Sequence, residues 1–302
     1  MASAPVRGGQ SDDAARPATR PRELQDWLNR RLYHPLAARL ARALRPTFVS
    51  PNAVSVAGAL LIWGAAWAYS SLAWPLSALL GFLFHVSWHV VDGADGDLAR
   101  LRGTSSASGE LVDGLCDYVG HIVLYVALAV LLDDMMGGWA WALVVVAGVS
   151  HIMQSNHAES QRRAYLWWVH GVPWLKHASA SGDAVFQGKG WFSRSFGWMG
   201  RGYVRLANAM TPHIASLDAA LEAAAPANRP RLRRLARRAL ERSLRFQKLL
   251  GANPRTLILG ASMAAGSPLW FFLAEAVLLN ALLIASLAHH KAVGARLIRA
   301  FG

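Results

Sequence analysis

The chain has 302 residues, 31 Lys+Arg against 18 Asp+Glu, a formal net charge of +13, and 54% hydrophobic residues. Its one cysteine, Cys116, excludes an intramolecular disulfide and a cysteine-clustered metal site, and reads as a small packing residue. The apolar residues are clumped rather than spread at helical periods, which excludes an ordinary soluble helical protein.

In chain order, residues 1–21 are polar and rich in Ala, Pro and Arg, and read as a disordered N-terminal tail without a signal peptide. Residues 22–46 form an amphipathic segment. Leu24, Trp27, Leu28, Leu32, Leu36, Leu40 and Leu44 run along one stripe and arginines fill much of the other face, so the spacing predicts a helix on the membrane surface. Packing of this helix against the later insertion is the alternative. The stretches 54–73, 74–91, 118–132, 139–153 and 269–288 are almost free of charge. About twenty apolar residues span a bilayer, so these predict membrane helices. A sixth span between Arg255 and Pro268 has only about a dozen residues and must start early, tilt or cross incompletely.

Charge sets the expected topology. Nine Lys/Arg lie in 1–50, two at Arg100 and Arg102, seventeen in 156–255 and three in 291–299, whereas the intervening turns carry none. Positive charge stays cytoplasmic. The fold expected is therefore all-α and polytopic, with six transmembrane helices, both termini inside and the site on the cytoplasmic side. Its divisions are a tail (1–21), an interfacial helix (22–46), four spans (51–169), a basic cytoplasmic insertion (170–253), two spans (254–290) and a cytoplasmic tail (291–302). Such charge asymmetry suits a plasma membrane, specifically a bacterial inner membrane.

One stretch carries chemistry. "DGADGDLARLRGTSSASGELVDGLCD" (92–117) holds six of the eighteen acids beside apolar segments, where acids are costly and kept for function. Asp92, Asp95, Gly96, Ala99 and Arg100 fall at three- and four-residue steps on one helical face, and Gly109, Asp113 and Asp117 share a face of the next helix. "LRGTSSAS" has turn composition between them. Two antiparallel helices then aim four carboxylates at one another, as bundle cores do at dinuclear metal sites. All-oxygen ligands suit two divalent cations, Mg²⁺ or Mn²⁺, which clamp the attacking and leaving oxygens of a phosphorus centre. Arg100 is placed to hold a phosphate, and Gly96 and Ala99 leave the face open to a bulky ligand. Asp97 points off this face and Glu110 lies away from Asp113, and both read as solvated. An acid cluster that merely caps helices would account for Glu110 and Asp113, but not for Asp92 and Asp95 near a helix C-terminal end.

These residues match D-x2-D-G-x2-A-R-x8-G-x3-D-x3-D without departure at Asp92, Asp95, Gly96, Ala99, Arg100, Gly109, Asp113 and Asp117. The pattern resembles the signature of the CDP-alcohol phosphotransferases. The likeness extends over the spans and includes "PNAVS" (51–55), which adds Asn52 as a candidate contact. It omits 1–20, and 170–250 reads as an insertion. The resemblance implies an integral-membrane enzyme that moves a phospho-alcohol from a CDP-linked donor to an acceptor hydroxyl and releases CMP. It implies that Asp92, Asp95, Asp113 and Asp117 hold two metals, that Asp117 is also the general base, and that Gly96, Ala99, Arg100 and Gly109 meet the CDP moiety and allow close helix approach.

The leading expectation is a lipid donor such as CDP-diacylglycerol with a small polar acceptor. The alternative is CDP-choline or CDP-ethanolamine with a lipid alcohol. A divalent-cation transporter also places acids among spans, but transporters bind near the midplane. Beyond the signature, Glu159, Arg162 and Arg163 stand where the site should open and are candidates for holding the acceptor, or are ordinary interfacial charges. His151 and His157 are polar contacts without a zinc pattern, and Glu275 sits in the last span with no assigned role. Residues 229–248 hold nine basic residues and one acid, which suits anionic lipid headgroups. No recognition motif supports nucleic acid as a partner. The tract 175–202 is a candidate lid or surface loop, and a homodimer is left open.

Overall fold

The computed structural model describes residues 21–172, 205, 209–210 and 213–301. The expected N-terminal tail, apart from Pro21, and the whole tract 175–202 lie outside them. Among the described residues every regular element is helical. A π-helical turn (Asn29–Tyr33) leads into α1 (His34–Leu44), then α2 (Pro51–Ser71), α3 (Leu76–Arg102), α4 (Ala107–Met136) and α5 (Trp139–Tyr165). The later part holds α6 (His213–Ala223), α7 (Arg229–Leu240), α8 (Ser243–Leu249), α9 (Ala252–Ala264), α10 (Leu269–Leu273) and α11 (Leu279–Phe301), the last two joined by a π-helical segment, Ala274–Leu278.

Local sequence explains the helix ends near the acidic stretch. Ser50 accepts a hydrogen bond from the Ala53 amide and Pro51 opens α2, where its fixed φ and missing N–H cost nothing. α3 stops at Gly103, whose φ of 66° places it in the left-handed region, and the Thr104 amide donates back to the Ala99 carbonyl at 2.9 Å. Two residues further on, Ser106 caps α4 by accepting from the Gly109 amide at 3.1 Å. "LRGTSSAS" is therefore a C-cap, a tight reversal and an N-cap in succession.

α2 packs along α3 and α4, and α1 crosses α3. The main core gathers Ile62, Tyr69, Leu124, Leu128, Leu132, Val144, Leu259 and Phe272 between helices. Gly81 lets α2 and α3 close up: a Cβ there would lie 2.3 Å from the Tyr69 ring. Arg102 fastens the α1–α2 linker by donating to the carbonyls of Leu44, Arg45, Thr47 and Val49, at the end of α1 and in the linker.

Among the described residues four helices are long and apolar enough to cross a bilayer: Pro51–Ser71, Leu76–Arg102, Val112–Met136 and the continuous Leu269–Ala300. Their outward faces show Trp63, Trp67, Leu83, Ile122, Val126, Val130, Val277 and Ile284 to the surroundings. A belt of that size is unfavourable in water and natural in lipid, so the helices mark an integral membrane protein. Two of the six expected spans have a different character. α5 carries Gln154, Asn156, His157, Ser160 and Gln161, all buried, along its second half. α9 has thirteen residues, about 20 Å of helix against a hydrocarbon core of about 30 Å.

Glu275, unexplained by sequence, is fully buried with its carboxylate 2.9 Å from Arg255 Nε and 3.4 Å from His151 Nδ1. Arg255 also donates to Gln154 Oε1, and Gln154 donates to the Glu275 carbonyl and to Asn280. This network joins α5, α9 and the segment between α10 and α11.

The amphipathic stripe of the N-terminal segment is only partly the face that packs. Tyr33, Ala37 and Ala41 are buried, and the two alanines join Ala94 and Leu98 of α3, while Trp27 and Leu32 stay exposed. Glu23 links this segment to the later helices, because its carboxylate accepts from Tyr165 Oη at 3.3 Å and lies 3.0 Å from His170 and 3.6 Å from Arg237. Burial opposes its charge, but a backbone hydrogen bond, His170 and Arg237 hold the Glu23 carboxyl below its ordinary range. In α7 the apolar side is Leu232, Ala236 and Leu240, packed on Trp168, Ile214, Leu217 and Val293, and most arginines face outward.

Candidate active site

The α3–α4 hairpin brings three of the four motif aspartates together. Asp92, Asp113 and Asp117 each offer a carboxylate oxygen, and the three atoms lie within 4.8 Å of one another. Three hard oxygen donors at that separation could hold a divalent cation such as Mg²⁺ or Mn²⁺. Asp95 falls outside this group of three. It is 5% exposed and accepts from the Ser55 hydroxyl and the Gly96 amide.

Residues that the sequence reading passed over orient the acids. Trp88, one turn before Asp92, donates its indole N–H to Asp117 Oδ1 at 3.0 Å. His121 Nδ1 lies 2.8 Å from the Asp117 carbonyl. The signal for Trp88 was its four-residue step to Asp92 on the same face. Ser55 lay inside the quoted "PNAVS", with only its place in the motif to mark it.

The aspartates line two cavities. The first, about 110 Å³, is lined by Asn52, Ser55, Asp95, Gly96, Ala99, Arg100, Gly109 and Asp113 and by the turn Thr104–Ser106. It collects every residue that the motif assigned to the CDP moiety. The second, about 420 Å³, meets the same cluster at Asp92 and Asp117. Its walls include Asp26 and Asn29 before α1, Glu159 of α5, and Gln247, Lys248 and Asn253 around the α8–α9 corner.

Three side chains differ from expectation. Asp97 is not simply solvated, because it pairs with the Arg100 guanidinium at the rim of the first cavity. Arg162 and Arg163 line neither cavity. Both are held by Glu159, Arg162 through two bonds of 2.6 Å, and Glu159 itself is the one that reaches the second cavity. His157 contacts Ser286 and Gln161, away from the acids, and His151 belongs to the Glu275 network.

Residues 48–167 match the CDP-alcohol phosphatidyltransferase family. The match covers 120 of the 302 residues, the part of the chain that carries the motif. Comparison with curated proteins gave no match. The CDP-alcohol phosphatidyltransferases are phosphotransferases of phospholipid biosynthesis that use CDP-linked donors and typically depend on divalent metal. The matched region contains α2, α3, α4, α5, all four motif aspartates and the whole first cavity. The second cavity takes part of its wall from outside it, at residues 24–34 and 247–255.

Proposed function

We propose that the chain transfers a phosphatidyl group from CDP-diacylglycerol, or a similar lipid donor, to the hydroxyl of a small polar alcohol and releases CMP. The observation that carries this reading is the aspartate cluster, whose members line two cavities. One cavity is lined by the small residues and arginine of the motif, and the other is lined by polar side chains. A displacement at phosphorus needs room at the metal site for a leaving group and for a nucleophile, and the two cavities offer it.

In this reading the CDP moiety occupies the first cavity. Gly96, Ala99 and Gly109 leave room for it, and Arg100, steadied by Asp97, meets a phosphate. Asp92, Asp95, Asp113 and Asp117 would hold two divalent cations, which when bound neutralise charge on the diphosphate. Ser55 and the Gly96 amide fix Asp95, and Trp88 fixes Asp117. Asp117 takes the proton of the acceptor hydroxyl as its oxygen attacks the β-phosphorus. The new O–P bond forms, the bond to the bridging oxygen breaks, and CMP leaves with that electron pair. General-base assistance of this kind is typically worth about 10²–10⁴-fold.

The charge partition supports both termini and the site on the cytoplasmic face, with α5 and α9 completing six crossings inside a bundle that shields their polar groups. The test is CMP release by the purified protein over a panel of CDP-linked donors and acceptors, with mass spectrometry of the lipid formed. CDP-diacylglycerol should support release, and the product should carry both acyl chains of the donor. Turnover of CDP-choline or CDP-ethanolamine with diacylglycerol instead would reverse the donor and acceptor roles. Release from no CDP donor would end the reading.

A further inference from the structure

The arginines of α7 fall into two sets. Arg229 donates to the carbonyls of Ala224 and Glu222, the Arg233 guanidinium lies against Gly171, and Arg237 stands 3.6 Å from Glu23. Arg231, Arg234 and Arg238 are exposed and meet no carboxylate among the described residues, and the same holds for Arg242 and Arg245 just after the helix. At 3.6 residues per turn, Arg231, Arg234 and Arg238 form a stripe opposite the buried Leu232, Ala236 and Leu240. The stretch 229–248 holds one acid, Glu241, so the row of like charges is not neutralised within its own element. Like charges one turn apart repel, and a surface of opposite sign relieves that repulsion.

The depth of α7 says which surface is near. Its apolar side packs on Val293 and Leu297 of α11, the last part of the continuous apolar helix Leu269–Ala300. About twenty helical residues cover a hydrocarbon core of about 30 Å, which from Leu269 brings the chain to about position 288. His289, His290 and Lys291 follow at that boundary. Val293 and Leu297 then stand about 7–13 Å beyond it, at the outer edge of the headgroup layer and about one Debye length from the phosphates. α7 contacts these residues on the side of α11, short of its end at Phe301, and the arginine stems reach further. The segment that Glu23 ties to Arg237 adds exposed Trp27 and Leu32, apolar side chains suited to the boundary between headgroups and acyl chains. We propose that the exposed α7 stripe is a binding surface for anionic glycerophospholipid headgroups of the membrane that holds the protein. Nucleic acid fits this place less well, because it would share the same layer with headgroup phosphates that repel it. The stripe lies outside residues 48–167, so this lipid contact belongs to the part of the chain beyond the family match.

The experiment is competitive lipid retention by the full-length protein, without turnover. Protein in neutral detergent is equilibrated with equimolar phosphatidylglycerol and phosphatidylcholine of the same acyl chains, and the bound lipids are counted by native mass spectrometry. Phosphatidylglycerol should be retained about fivefold or more over phosphatidylcholine, the scale of one basic residue near an anionic surface. Added salt should erode that preference. Combining Arg231→Gln, Arg234→Gln, Arg238→Gln and Arg242→Gln keeps helix propensity and should cut the preference by half or more, whereas Lys at the same four positions should keep it. Equal retention of the two lipids by the unmodified protein, or an undiminished preference in the Gln variant, would overturn the proposal. Two controls separate other sources of phosphate. CDP should bind the unmodified and Gln proteins alike, and its loss in the Gln variant would place the stripe at the donor site instead. A single-stranded oligonucleotide that needs these four arginines and displaces phosphatidylglycerol would assign the stripe to nucleic acid.

Discussion

At the scale of single residues, the site depends on side chains that aim the aspartates. Trp88 is buried at 4% exposure and its indole N–H is the donor to Asp117. Trp88→Phe keeps an aromatic ring in the core and removes that donor. If Asp117 is the base, kcat should fall by about tenfold, the size of a hydrogen bond to a charged group, with KM for donor and acceptor moving less. The thermal midpoint should change little, which separates positioning from folding. Steady-state CMP release with both substrates varied reads this out, and an unchanged kcat would mean that Trp88 only packs. The i,i+3 and i,i+4 relations of Asp97 to Arg100 and of Glu159 to its arginines were within reach of the sequence. The spacing that sorts residues onto helix faces also pairs opposite charges. The second cavity was not legible in that way. Its wall brings together Asp26, Asp92, Asp117, Lys248 and Asn253, and no local spacing rule connects positions so far apart.

At the scale of elements, the α3–α4 hairpin was readable because every instruction in it is local: a glycine stop, a serine cap and acids at helical steps. α9 and the second half of α5 were harder, since hydropathy cannot distinguish a polar residue facing lipid from one facing another helix. The Arg255–Glu275 pair shows the consequence. Both side chains are buried, on α9 and in the segment between α10 and α11, and each makes the other tolerable. Glu275→Gln nearly preserves shape but strands a buried guanidinium. Removing one partner of such a pair typically costs about 3–5 kcal/mol, so the thermal midpoint in detergent should drop clearly. Replacing both Arg255 and Glu275 by Met should recover much of the loss. A double variant as unstable as the single one would mean that the pair is not the source of the effect.

At the scale of the whole molecule, the all-helical architecture follows from clumped hydrophobicity, and the direction of insertion rests on charge. With Cys116 replaced by Ser, cysteines at Ser71 or Gly137 should react with an impermeant maleimide on intact cells, and one at Ser105 only after permeabilisation. Labelling of Ser105 from outside would place the acidic hairpin on the opposite face. The central claim is that the aspartate cluster carries a metal-dependent transfer from a CDP-linked donor. The most direct measurement is CMP release from CDP-diacylglycerol, with the acceptor panel present, after chelation and on titrating Mg²⁺ or Mn²⁺ back, in the unmodified protein and in Asp113→Asn. Chelation should abolish release and either metal should restore it. Asp113→Asn should stay folded yet lose activity by orders of magnitude at all metal concentrations. Full activity in metal-free buffer, or normal turnover and metal dependence in Asp113→Asn, would contradict it.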